Sequence, residues 1–444
     1  MTYIAEGGLS RDLSDLELDE LLAQGLARAG ADAAPSGPVL ILPPDGTRFH
    51  SRAGYLTDLA CRELGSRVGA IMPALGTHIV MTREELRKMF HKSPQDKFIS
   101  HDWRNDVVEL GRLEADWVAQ VSENAVHYDW PVQVNKALRD GGFSLILSIG
   151  QVVPHEVVGM ANHAKNIFVG TGGKEAIDKS HFVGASYGME RMMGRIDTPV
   201  RAMFDEGMRR FSPLLPPILW VLTVVSPRTD LEASGAGKPR GSLAVRGLYI
   251  GFGRECFEAA AKLAQELNVD ILEEPITKAV VYLESSEFRT TWLGNKAIYR
   301  TRMALADAGE LLILAPGLER FGEDYGNDRL IRKYGYRPAK VIQEKVGKEP
   351  ELAGGLSAAA HLIHGSSEGR FRVRYCPGPG LSRREIESVG YEWGDLKEAL
   401  ARYDVDTLGL GWNTLPDGER IFYVPNPALG LWAEKKRFFT SAGG

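Results

Sequence analysis

The stretch Pro38-Val39-Leu40-Ile41-Leu42-Pro43-Pro44-Asp45-Gly46-Thr47-Arg48 decides the fold. Its apolar run is too short for a helix of ordinary length. It stops at two prolines, which have no N–H to give a ladder. A run of this kind reads as a strand buried on both faces, as in a parallel sheet. Working outward, a helical pattern runs from about Ser51 to Gly65. A second strand follows at Val68 to Met72 and ends in the loop Pro73 to His78. Thr82, with Glu85 three residues on, has the form of a capping box that opens a helix. Phe143 to Ser148 reads as a third strand and leads into Ile149 to His155. Strands alternating with helices predict an α/β architecture with largely parallel sheets. Ligands in such sheets bind beyond the carboxyl ends of the strands. Asp45, Arg48, His78 and His155 all follow such ends, which groups them as candidate site residues.

Further along, Ser226 to Gly241 is polar and rich in Gly and Pro. It reads as the loop of a long hairpin between Leu219–Val225 and Leu243–Ile250. A helix is expected over Glu255 to Leu267. The rhythm then resumes with a strand at Ala279–Leu283, a helix at Lys296–Ala308 and a strand at Glu310–Ala315. A chain of 444 residues has room for two or three domains. We expect a catalytic and cofactor-binding domain over 1–270. An α/β domain over 271–444 is expected to close over the substrate, with the active-site cleft between the two.

Composition removes several function classes. The net charge is −5 and the pI about 6.1, without the basic excess of a general nucleic-acid binder. Cys61, Cys256 and Cys376 are far apart and form no CxxC pair. Neither a disulfide framework nor a thiolate zinc cluster is expected, but three reduced, buried thiols. The first residues lack a basic segment followed by an apolar one, so no signal peptide is read. Leu214 to Val225 is short and holds Pro216 and Pro217, so it reads as a strand and not a membrane span. The expectation is a cytoplasmic protein without membrane or nucleic-acid partners, of unspecified oligomeric state.

Of the ten histidines, His155, His163 and His181 fall close together in the chain, with Lys165 and Gly170-Thr171-Gly172-Gly173 among them. The glycine run lacks the full P-loop spacing. It reads either as a phosphate approach or as a turn before a helix.

Four pieces in order now carry a resemblance. They are Asp45-Gly46-Thr47-Arg48; Gly76-Thr77-His78 with Met81-Thr82-Arg83-Glu84-Glu85-Leu86; Pro154-His155 with Gly159 and Lys165; and His181. Together they make the chain resemble the lactate racemase family over about residues 38–190, and more faintly beyond. The family's enzymes are nickel-dependent isomerases acting on 2-hydroxy acids. The resemblance implies a nickel-pincer nucleotide, a pyridinium-3-thioamide-5-thiocarboxylic acid mononucleotide joined to Lys165 through its thioamide. Nickel would be held by two sulfurs, a ring carbon and His181, a soft donor set that suits nickel in a planar geometry. Thr47, Gly172 and Gly173 would contact the cofactor. Hydride would leave C2 for the cofactor and return to the other face. His78 and His155 would take and give the hydroxyl proton. Arg48 would fork onto the substrate carboxylate. Asp45 would orient Arg48 or a base, or else serve as a loop cap. The cofactor would be made by separate biosynthetic enzymes. The small-molecule partner would be a 2-hydroxy acid.

The chain departs from the family pattern in two places. The family's Gly-Tyr-Ser-Gly-Gly-Arg-Lys reads Gly159-Met160-Ala161-Asn162-His163-Ala164-Lys165 here, so the loop approaching the cofactor is expected to differ in shape. His163 is expected to pack within that loop and not to act as a ligand. In the second half, Tyr299 is kept, but Arg300 replaces a substrate-facing glutamine and Met303 a lysine. Arg300, a substrate-binding candidate beside Tyr299, would suit an acid larger or more polar than lactate. As a bland alternative, it is a surface helix residue. His101-Asp102 reads either as a pair supporting the site or as a surface turn. Two further functions stay open: epimerisation of a sugar acid at another carbon with the same cofactor, and a cofactor-less binding protein of the same fold. A zinc hydrolase is disfavoured, because no HExxH or comparable ligand set is present.

Overall fold

A computed structural model describes residues 1–32, 36–76, 78–228, 232, 242–428 and 430–440. Thr77 lies outside the described residues, as does most of the Gly/Pro-rich stretch expected to close the long hairpin (229–231 and 233–241). The chain forms two compact units. One is Met1–Ser180 with Met193–Asn268, and the other is His181–Met192 with Val269–Gly444. Residues 181–192, read from the sequence as part of the first domain, thus group with the second unit.

The first unit is built on a six-stranded sheet. Its strands are β1 (Thr2–Gly7), β2 (Val39–Leu42), β3 (Val68–Ile71), β6 (Leu145–Gln151), β9 (Ile218–Pro227) and β10 (Leu243–Gly251), in the order β1-β10-β9-β6-β2-β3. Strands β3, β2, β6 and β9 run parallel, and β10 and β1 complete the sheet antiparallel. Every residue of β2 and β6 is buried, as expected for strands covered on both faces. The helix Asp15–Asp32 buries Leu18, Leu22, Gly25 and Ala29, one stripe at helical spacing. At Gly25 a Cβ would come within 2.6 Å of the Ile250 side chain, so the glycine lets helix and sheet approach closely. Each fully buried leucine in this core contributes about 1.5–3 kcal/mol of apolar transfer free energy.

Between β3 and β9 the chain forms β4 (Val107–Leu113) and β5 (Trp130–Asn135), an antiparallel pair. It also forms the short hairpin β7 (Pro154–His155) with β8 (Gly159–Met160). The helix Arg83–Met89 opens on the expected capping box, with Thr82 and Glu85 each accepting from the other's backbone N–H.

The second unit carries its own six-stranded sheet, in the order β15-β14-β13-β12-β17-β16. These are β12 (Ile276–Tyr282), β13 (Leu305–Ala315), β14 (Arg372–Pro377), β15 (Glu392–Trp393), β16 (Gly411–Thr414) and β17 (Arg420–Val424), while β11 (Val269–Leu272) and β18 (Leu431–Glu434) form a separate parallel pair. Only the β16–β17 pair is antiparallel. Two α/β units with mostly parallel sheets are therefore present. One expectation fails in detail. The helix predicted over Lys296–Ala308 stops at Thr301, and β13 already begins at Leu305. Helix propensity in Met303-Ala304-Leu305-Ala306 gives way to pairing of Leu305 with Ile276, followed by a register shift before Glu310 meets Lys278.

Candidate functional site

Three neighbouring parallel strands deliver the site of the first unit. The segment Asp45–Arg48 follows β2, His78 follows β3 and His155 follows β6. Adjacent carboxyl ends therefore bring together residues that are far apart in the chain.

Asp45 is buried, and its Oδ2 accepts from His78 Nδ1 at 2.6 Å while Oδ1 accepts from Thr47 Oγ1 at 2.5 Å. Its side chain makes no cap bond to the short helix Gly46–Ser51 that it precedes. Of the expected roles, the geometry gives it the orienting of a base. Burial pushes the Asp45 carboxyl up, but the His78 and Thr47 hydrogen bonds and the charges of His78 and Arg48 outweigh it. The group is held below its ordinary range. An ionised Asp45 can only accept. It therefore fixes the His78 proton on Nδ1 and turns the Nε2 lone pair outward, where the ring is 44% exposed.

His155 is held the other way round. It is buried, and its Nδ1 accepts from the backbone N–H of Val157 at 3.1 Å, which leaves the proton of the neutral ring on Nε2. The Glu156 carboxylate stands 3.9 Å from the same Nδ1, a partner for the ring when it is charged.

Lys165 lies near the start of the helix Ala164–Phe168 and is partly buried. Burial, then the Arg48 charge, lower its amine from 10.5 to about 8, against the opposing pull of Glu156 and Asp45. These mutual fields tie the amine to the Asp45–Arg48 segment and to the residue next to His155. Arg48 is itself partly exposed.

The helix is anchored below. Asn166 Nδ2 donates to Ser148 Oγ at 2.9 Å and to the Leu42 carbonyl at 3.3 Å, fixing it to β6 and β2. The Gly170–Gly173 turn follows. The backbone N–H of Gly76 donates to the Gly170 carbonyl at 2.9 Å, which ties this turn to the His78 loop. A Cβ at Gly172 would lie 2.0 Å from the Phe168 carbonyl oxygen, and one at Gly173 would lie 2.4 Å from Gln133 Oε1. Close packing thus accounts for both glycines, whatever they do for a ligand. His101, the open case, is buried. Its Nε2 donates to the Gly172 carbonyl at 3.0 Å, and its Nδ1 accepts from Asn135 Nδ2 at 3.0 Å. Asp102 beside it is a turn acceptor for Arg104 and Asn105. His101 therefore supports the glycine turn, a role that only tertiary contact with Gly172 reveals.

The segment before Lys165 carries two left-handed residues, Asn162 (φ 71°) and His163 (φ 56°). They stand where the resemblance has two glycines, so the expected change of loop shape meets a backbone of the kind glycine adopts. His163 packs in the loop, as expected, against Trp220 (ring centroids 4.3 Å) and Phe257 (5.3 Å). Burial first, then the charges of Arg201 and Arg254, lower its pKa far enough to keep it neutral.

The other predicted residues belong to the second unit. His181 lies on the helix Lys174–Tyr187 and is partly exposed. Tyr299 and Arg300 lie on the helix Lys296–Thr301, and both are buried. Arg300 is only 1% exposed, which removes its reading as a surface residue. Tyr299 ends a buried hydrogen-bonded chain that the sequence reading missed. Thr291 Oγ1 donates to the Phe321 carbonyl at 3.0 Å and so must accept from the Tyr336 hydroxyl at 2.7 Å. With its proton spent, the Tyr336 oxygen accepts from His361 Nε2 at 2.9 Å, and Nδ1 of that ring faces the Tyr299 hydroxyl at 2.8 Å. Glu190, also missed, is shared by Arg370 at 2.7 Å and Arg302 at 3.3 Å.

Among the described residues no three His, Cys, Asp or Glu side chains are grouped to hold a metal. Cys61, Cys256 and Cys376 are free thiols buried in the protein. The Lys165 amine, lowered to about 8, and the single imidazoles of His78 and His155 are donors that a group bringing its own soft ligands could use. Among the described residues no helix is long and apolar enough to cross a membrane.

Residues 31–192 match the family described as Lactate racemase N-terminal domain. No curated protein matches the chain. Among solved structures, a protein from Thermotoga maritima aligns at a TM-score of 0.78 and 22% identity, over 97% of this chain and 100% of that one. The lactate racemase apoprotein from Thermoanaerobacterium thermosaccharolyticum aligns at 0.63 and 14% identity, over 98% and 100%. At these identities the two structures establish a shared fold.

Proposed function

From a chain whose residues 31–192 match the lactate racemase N-terminal domain family, we infer a racemase or epimerase that inverts C2 of a 2-hydroxy acid. The observation that carries this reading is the opposite hydrogen bonding of two imidazoles that follow the strands on either side of β2. His78 presents a lone pair at Nε2, and His155 presents a proton there.

Lys165 would hold the nickel-pincer nucleotide through its amine, and His181 would give the metal its one protein nitrogen. Thr47 and the turn with Gly172 and Gly173 would flank the nucleotide. When bound, the nucleotide supplies a hydride acceptor, without which the non-acidic C2 hydrogen could not leave. Arg48 binds the substrate carboxylate and sets C2 in place. His78 takes the hydroxyl proton at Nε2, and its new charge is met by Asp45. The substrate becomes a 2-keto acid and regains hydrogen on its opposite face. His155 enters this step with a second proton taken from solvent onto Nδ1, where Glu156 stands beside it and the Val157 N–H bond is given up, and it returns the Nε2 proton to the oxygen. For the other enantiomer the two imidazoles exchange parts. Arg300 and Met303, in place of a glutamine and a lysine, favour a substrate larger or more polar than lactate.

The test is co-expression with the enzymes that make the nucleotide, followed by intact-mass and metal analysis. We expect an adduct on Lys165, about one nickel per chain as the single-site stoichiometry requires, and deuterium wash-in only at the hydroxyl, with C2 hydrogen retained during inversion. K165A should carry neither adduct nor nickel. Absence of adduct and nickel from the wild-type chain would remove the proposal. Inversion at another carbon would move it to a sugar-acid epimerase.

A further inference from the structure

The turn that presents Lys165 is held from outside itself. Asn162 and His163 both have positive φ, and the His163 angles (φ 56°, ψ −134°) lie outside even the left-handed helical region. Asparagine tolerates a left-handed φ better than most residues, but a side-chain-bearing residue at the His163 angles is strained and needs its surroundings to hold it there. The enforcing groups come from the first turn of the helix Pro199–Phe211. Thr198 Oγ1 donates to the Val158 carbonyl at 3.2 Å. Arg201 Nη2 donates to the carbonyls of Met160 at 2.6 Å and Asn162 at 3.2 Å. Inside the turn, Asn162 Oδ1 accepts from the His163 backbone N–H at 2.7 Å. The His163 ring is pinned against Trp220 and Phe257, and the Arg201 guanidinium lies 4.2 Å over the same Phe257 ring.

Arg201 is only 1% exposed, and its Nε and Nη1 have no hydrogen-bond partner; nor has His163 Nδ1. A buried cation with unmatched donors is costly, and an apolar side chain of similar size would pack there at less expense. What distinguishes arginine at this place is Nη2, which grips two carbonyls flanking the turn.

We propose that Arg201 is a positioning residue for Lys165: with the pinned His163 ring, it holds Asn162 and His163 in a glycine-type turn and thereby fixes the start of the helix that carries the amine. The clamp takes over what two glycines would do without help. It ties the placement of the amine to a helix some 36 residues further along the chain, from Lys165 to Arg201.

This proposal rests on the reading of Lys165 as the reactive amine, but its test needs neither cofactor nor substrate. The full chain is pulsed with isotopic acetic anhydride across pH, and acetylation of Lys165 is followed by peptide mass spectrometry. Wild type should show a midpoint near 8. In R201M the midpoint should rise by about one unit or more towards an ordinary lysine, as the slackened turn lets water reach the amine. In N162G/H163G/R201M it should return most of the way to the wild-type value, short only by the small direct effect of the missing guanidinium charge. That return separates the clamp from the direct effect of the charge. An R201M midpoint equal to wild type overturns the proposal, as does a raised midpoint that the two glycines leave in place. If R201M alone does not fold, the two glycines must restore a cooperative thermal transition; failure to do so overturns it too. Loss of inversion chemistry with an intact acetylation pattern would count against the proposed function and leave the clamp standing.

Discussion

At Asp45 a single carboxylate sets the state of a neighbouring ring. Its two oxygens are taken by Thr47 and His78, and it caps no helix. In D45N the amide can turn either its oxygen or its nitrogen to Nδ1, so the tautomer is no longer enforced. We expect about a hundredfold fall in kcat for the loaded enzyme, with little change in KM, read by steady-state kinetics on the true substrate. The stability cost should be about 1–2 kcal/mol by urea unfolding, because a charge-assisted hydrogen bond to a buried carboxylate is lost. Its pH course follows from the lowered carboxyl. The contribution is complete above the ordinary value of 3.8 and fades only as pH falls through the lower folded value. The deficit should therefore be equal at about pH 7 and pH 5, and shrink below about pH 4. At this scale much was legible: strand ends grouped Asp45, Arg48, His78 and His155, and the family resemblance added Lys165. His101 and Arg201 could not, since both act through backbone carbonyls distant in the chain, Gly172 for one and Met160 and Asn162 for the other.

Among elements, strands between turn residues and a hairpin flanked by apolar runs were readable, because burial on both faces leaves a continuous apolar signature. The capping box at Thr82 was readable because it is local. The helix Lys296–Thr301 was over-extended because partner choice decided where it ends, and partner choice is not written in propensity. The chain from Thr291 to Tyr299 was hidden for a related reason: it joins residues on four separate stretches. Its hydrogen bookkeeping makes a sharp prediction. His361 Nε2 carries a proton in either charge state of the ring, because Tyr336 has already given its own to Thr291. Long-range ¹H–¹⁵N spectra of histidine-labelled protein should place the Nε2 resonance of His361 in the protonated range, and Y336F should remove that constraint. An Nδ1-only tautomer in the wild type would refute the assignment.

For the whole molecule, the three thiols are the plainest test of the packing. Burial first pushes Cys256 and Cys376 up to about 12, and it raises Cys61 as well. Native protein at about pH 8 should therefore resist iodoacetamide, and denatured protein should take up three labels, counted by intact mass. Rapid labelling of the native chain would mean looser cores than those described. The division of the chain into units has a consequence of another kind. Residues 181–192 leave one unit and the chain returns to it at Met193, so the backbone passes between the units three times. A gene cut after Asn268 would strand Glu190 without Arg302 and Arg370, and would strip Arg302 and Arg370 of Glu190. The two halves are thus not modules on a string. Recombination that shuffles whole domains has no single breakpoint here, and swaps between relatives would have to carry a twelve-residue passenger along with the distant half to which it belongs.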